Sequence, residues 1–181
     1  MPIQAAVHLP GVQARSGLES RRRQEARSLQ IGDRAPDFAL PDADMEVFDL
    51  EAMRGKRNVV LYFYPRDNTP GCTRQAVDFS DHVDDFERFD CSVVGVSPDD
   101  CLTHAEFRDL HGLSVRLLSD EDVEICRRYG VWESRTADGT VRPGVTRTSF
   151  IIDKQGVIRH IFRNVAPGGH VAEVLQTLSK L

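Results

Sequence analysis

Residues 59–79, VVLYFYPRDNTPGCTRQAVDF, decide the fold. The run Val59–Tyr64 is apolar, rich in β-branched and aromatic residues, and too short for a core helix, so it predicts a fully buried strand. Pro65 ends it, and Asp67, Asn68, Thr69, Pro70 and Gly71 form a turn cluster. A new periodicity then begins at Cys72. Ala76, Phe79, Val83 and Phe86 follow it at helical spacing, which predicts a helix from Cys72 to about Phe89. A cysteine in the first turn of a helix sits against unsatisfied amides and the positive end of the helix dipole, and both favour a thiolate. On position alone, a small buried apolar residue is an equal reading of Cys72.

Outward from this stretch, the chain alternates strands and helices. On its N-terminal side, Phe38–Leu40, a turn at Pro41–Asp44, and Glu46–Leu50 predict a small hairpin. On its C-terminal side, Cys91–Ser97 reads as a second buried strand. Pro98–Asp100 then looks like the start of an amphipathic helix carrying Leu102, Ala105, Phe107 and Leu110 and stopping at Gly112. Val115–Leu118 is a third strand and Asp120–Tyr129 a short helix. The segment Val131–Thr146 reads as a long polar loop. Thr148–Asp153 and Val157–Arg163 flank a turn and read as a hairpin, and His170–Leu181 is a final helix. This order implies an α/β protein with a mixed central sheet flanked by helices and an N-terminal hairpin, a thioredoxin-like fold.

The chain of 181 residues has a formal net charge of −5, which gives no electrostatic reason to bind nucleic acid or an anionic membrane. No apolar run approaches the roughly 18 residues of a membrane span. The four cysteines Cys72, Cys91, Cys101 and Cys126 form neither CxxC nor metal-finger spacing, and their scatter is what a reducing cytoplasm would be expected to hold. His104 and His111 could share a helix face, but a metal site needs more ligands than two, and neither metal nor cofactor is expected. Residues 1–28 are rich in arginine and poor in acids. They are expected to be a flexible extension, with a domain over 29–181, and their composition is also that of an organellar transit peptide.

Pro65, Thr69 and Cys72 stand in YPRDNTPGC, which resembles the Pro-x-x-x-Thr-x-x-Cys signature of peroxiredoxins. YFYPRDNTPGCT, GVSPDD, LLSDED, YGVW and RTSFIIDKQG, in that order, are similar to the bacterioferritin-comigratory, or Q-type, branch. The resemblance runs from about Leu29 to Leu181. It implies a thiol-dependent peroxidase reducing hydrogen peroxide, with organic hydroperoxides as a further substrate class. It also implies Cys72 as the peroxidatic thiolate, Thr69 directing its hydroxyl at thiolate and peroxide, Pro65 shielding the sulfur, and Arg147 holding sulfur and peroxide oxygens in its fork. The reductant would be thioredoxin, glutaredoxin or a small thiol, and the protein a monomer.

Attack on peroxide leaves a sulfenic acid, which a second thiol must remove. Relatives often carry that cysteine five residues after the first, where this chain has Val77, or on the next long helix, near Arg108. Cys91 and Cys126 read as core. Cys101 follows a strand whose C-terminal end shares the sheet edge of Cys72, where sites gather, so resolution falls to Cys101 or to an external thiol. The missing cysteine also leaves room for a second function, a redox sensor or binding protein that uses Cys72 without turnover.

Overall fold

The computed structural model describes residues 27–181. Most of the extension expected over residues 1–28 therefore lies outside the described residues. The buried run of the opening stretch becomes β3 (Asn58–Phe63), after β1 (Ala39–Pro41) and β2 (Val47–Asp49), which pair as the expected hairpin. Next come α1 (Pro70–Asp81), α2 (Val83–Glu87), β4 (Cys91–Ser97), α3 (Cys101–His111), β5 (Arg116–Ser119) and α4 (Glu124–Arg128). The chain closes with β6 (Trp132–Ala137), β7 (Thr140–Val145), β8 (Thr148–Ile152), β9 (Ile158–Phe162) and α5 (His170–Leu178).

The central sheet runs β5-β4-β3-β8-β9, with β3 parallel to β4 and antiparallel to β8. Because β3 lies in the middle, both its faces are covered, which is why its sequence from Val59 on is continuously apolar rather than alternating. Leu61 and Phe63 point into one core layer with Phe48, Val96, Phe150 and Cys126. Val60, Tyr62 and Tyr64 point into the other, with Cys72, Phe79, Phe107 and Val174 from α1, α3 and α5. Cys72 and Cys126 thus lie on opposite faces of the sheet.

Four expectations are corrected. The helix predicted from Cys72 starts two residues earlier, at Pro70, and breaks at His82. There the imidazole Nδ1 lies 2.8 Å from the Asp78 carbonyl, and a side chain competing for the backbone in this way interrupts a helix. The apolar spacing runs on across the break, because Phe86 is still fully buried. In α3 the inward face carries His104 and Phe107, whereas Leu102 and Leu110 are exposed. The helix expected from Asp120 begins only at Glu124, because the Asp120 carboxylate accepts the amides of Ile125 and Cys126 and so caps the helix from outside it. Finally, Val131–Thr146 is a hairpin, β6 and β7, closing at Asp138-Gly139 with both residues at positive φ. That dipeptide suits a two-residue turn. Its strands are exposed nearly throughout, so they carry no buried face for alternation to reveal.

Candidate active site

Helix α1 opens with Pro70, whose missing N–H costs nothing at that position. Gly71 and Cys72 follow, so the sulfur lies in the first turn. Thr69 precedes the helix in an extended conformation. Its hydroxyl donates to the Arg66 carbonyl at 2.9 Å rather than to a helix amide. The donor of the Thr69 hydroxyl is thus engaged, and its oxygen keeps lone pairs for accepting a proton. Pro65 is half-buried just beyond β3.

Arg147 comes from the other side of the sheet centre, between β7 and β8. Its Nη2 donates to Cys72 Sγ at 3.2 Å, and its Nη1 to Gln75 Oε1 at 2.6 Å. The two arms of one guanidinium therefore bridge the cysteine and a glutamine one turn further along α1. Gln75 is completely buried, and its Nε2 has no hydrogen-bond partner. Gly71 lies close to both Arg147 and Pro167: a Cβ there would press on Pro167 Cγ at 3.1 Å and would stand at ordinary contact distance, 3.4 Å, from Arg147 Nη2. The structure brings Cys72 and Arg147 together. Gln75 was missed, since a glutamine inside a helical run has no sequence signal that separates it from a solvated residue.

The other three cysteines differ in their surroundings. All four are free thiols. Cys91 opens β4, the end of that strand away from Cys101, and burial pushes its thiol up to about 12. Burial also pushes the Cys126 thiol far up. Cys101 is half-buried at the start of α3. Its thiol is raised as well, first by partial burial and then by the nearby carboxylates of Glu121, Asp42 and Asp100, against a hydrogen bond with Ser119 that lowers it.

A half-exposed arginine clamped on a buried cysteine at a helix N-terminus, on a thioredoxin-like sheet, defines a thiol-based oxidoreductase. Comparison with known proteins makes this narrower. The AhpC/TSA family profile matches residues 31–161. The putative peroxiredoxin Bcp of Coxiella burnetii is 40% identical over 151 residues, covering 83% of this chain and 99% of the relative. Peroxiredoxin Bcp of Bacillus subtilis is 39% identical over 154 residues, 85% of this chain and 98% of the relative. Among solved structures, a peroxiredoxin Q mutant of Xylella fastidiosa superposes with a TM-score of 0.79 at 30% identity, covering 85% of this chain and 98% of that one. The bacterioferritin comigratory protein of Xanthomonas campestris gives 0.75 at 29% identity, with 79% and 90% covered.

The chain belongs to the AhpC/TSA family, as a peroxiredoxin of the bacterioferritin-comigratory, Q-type branch. It is a thiol-dependent peroxidase, acting on peroxide with a thiol reductant.

Proposed function

We propose that Cys72 is the peroxidatic residue and that Arg147, Thr69 and Pro65 form its pocket. The thiolate attacks one peroxide oxygen, the O–O bond breaks, and the electron pair leaves on the other oxygen, which takes up a proton as water or alcohol. Cys72 is left as a sulfenic acid. The second N–H of Arg147 Nη2 is available for the oxygen on which charge grows. The Thr69 oxygen can accept a hydrogen bond from the peroxide O–H while its own hydroxyl donates to the Arg66 carbonyl. One observation carries this reading: the 3.2 Å contact between the Arg147 guanidinium and the Cys72 sulfur. Organic hydroperoxides join hydrogen peroxide as substrates, on the precedent of the Xanthomonas relative, whose trapped complexes concern alkyl peroxide reduction.

An external thiol is the better resolving agent. Cys101 is the accessible internal candidate, but burial and acidic neighbours disfavour the thiolate it would need. Thioredoxin, glutaredoxin or a small thiol then completes the cycle in a protein read as a monomer, and four free thiols fit a reducing cytoplasm. The test is steady-state peroxide consumption with each reductant, alongside mass spectrometry after one equivalent of peroxide. Cys72→Ser must abolish consumption. Oxidation of Cys72 that no reductant turns over would point instead to a sensor, and a Cys72–Cys101 disulfide would return resolution to the chain itself.

A further inference from the structure

The loop Pro65–Thr69 joins β3 to α1, and its middle residue is tied down from three directions. The Asp67 backbone N–H donates to Asp99 Oδ2 at 2.9 Å. The Tyr64 hydroxyl donates to Asp67 Oδ1 at 2.6 Å. Asp67 Oδ2 lies 2.6 Å from His104 Nδ1, with both side chains wholly buried. The other imidazole nitrogen, Nε2, lies 3.0 Å from the Leu118 carbonyl of β5. Asp99 is itself held by the Ser97 hydroxyl at 2.7 Å.

The proton count follows from the acceptors. A carbonyl can only accept, so His104 Nε2 carries a hydrogen. A carboxylate oxygen 2.6 Å from Nδ1 also requires a hydrogen between them, whichever atom it is nearer. The pair is therefore neutral overall, as imidazolium with carboxylate or imidazole with carboxylic acid, and every polar atom in it has a partner. A fully satisfied buried network fixes geometry, and a half-satisfied one does not. Asp67 anchors the segment bounded by Pro65 and Thr69, so the pocket wall around Cys72 takes its position from α3 and β5 as well as from its own turn.

We propose that Asp67 and His104, with Tyr64, are positioning residues of the peroxidase: the buried pair clamps the Pro65–Thr69 loop to α3 and so sets the peroxide pocket around Cys72. This rests on the assignment of Cys72, Thr69 and Pro65 made above. Bonds rather than charge carry the effect. Asp67→Asn can still accept from Tyr64 and can donate its amide to a neutral His104, whereas His104→Leu and Asp67→Ala cannot restore the contact.

The experiment compares these variants and Tyr64→Phe by stopped-flow peroxide reduction, by the rate of Cys72 alkylation with iodoacetamide, and by thermal midpoint, with assays run well below each midpoint. His104→Leu and Asp67→Ala are expected to lower kcat/KM for peroxide at least tenfold while alkylation changes less than threefold, and Asp67→Asn to stay within about threefold of wild type. Peroxide rates within twofold of wild type in His104→Leu and Asp67→Ala would overturn the proposal, even if both are less stable. So would alkylation and peroxide rates that fall together. Where neither variant folds, Tyr64→Phe decides, because it removes one hydroxyl and keeps the ring. A two- to tenfold loss confined to peroxide supports the clamp, and an unchanged rate overturns it. Wild-type protein that consumes no peroxide, or Cys72→Ser that does, would instead refute the assignment of Cys72 itself.

Discussion

Replacing Arg147 tests the site most directly. At 3.2 Å, two unit charges in a medium of effective dielectric about 20 attract by about 5 kcal/mol. Arg147 is only partly buried, so solvent screens part of this, and the usual worth of a hydrogen bond to a charged group, about 1.5–3 kcal/mol, is the better guide. Stabilising the thiolate alone does not speed its attack, since only what grows in the transition state raises the rate. On the mechanism proposed above, the same nitrogen offers its second N–H to the leaving oxygen, so the transition state would gain a contact that the resting thiolate lacks. Arg147→Ala is therefore expected to slow the second-order reaction with peroxide by roughly ten- to 150-fold, taking about 1.4 kcal/mol per factor of ten. Arg147→Lys keeps the charge but has one nitrogen where two are used, for Cys72 and for Gln75, and should fall between. Stopped-flow competition against a peroxidase of known rate measures both. A folded Arg147→Ala protein reacting within threefold of wild type would refute the reasoning.

Other consequences concern the scaffold. A Cβ on Gly95 would stand 2.6 Å from Tyr62 Cζ, and that ring is already stacked on Phe79 with centroids 4.6 Å apart. Gly95→Ala should cost about 1–3 kcal/mol by overpacking, read as a lowered thermal midpoint, and an unchanged midpoint would show that the ring can yield. The Tyr62 hydroxyl is buried without a partner, so Tyr62→Phe should leave stability equal or higher in the same melt. His170 donates or accepts at Ser149 Oγ over 2.8 Å, and burial holds its imidazole below the ordinary 6.5, against the opposing pull of Glu173. The unfolded chain then binds a proton that the native one resists. Stability is full above that ordinary value, starts to fall as pH drops through it, and levels off once pH passes the depressed native value. Melts across this range should show a steeper acid-side loss for wild type than for His170→Asn, and equal slopes would contradict it.

How much of this was legible depends on whether a residue's role leaves a period in the sequence. Val59–Phe63 of β3 show no polar face because none exists, and that absence is itself the signal of a central strand. The helix after it was legible because Cys72, Ala76 and Phe79 keep one face. Its break at His82 was not, since no proline or glycine marks it and Phe86 resumes the period beyond. Leu102 and Leu110 suggested the wrong face of α3 for a related reason. The stripe that faces the sheet holds a histidine, and hydropathy assigns histidine to the surface.

The same reasoning separates what was found of the site from what was not. Cys72 and Arg147 lie 75 positions apart, and only the resemblance to a known motif joined them, because no local period links a helix start to the residue before a distant strand. Gln75, Asp67 and His104 had no such help. Each is a polar residue whose burial is made tolerable by partners distant in sequence, Arg147 for Gln75, the imidazole for Asp67, and Asp67 with the Leu118 carbonyl for His104, and removing such a partner leaves a polar group unpaired in the core. Polar residues of this kind read as surface until the fold supplies the partner. Asp67 and Gln75 lie within the same stretch as Cys72, whereas His104 comes from α3, so the stretch that announces the fold most clearly also hides two of the buried polar residues set around Cys72.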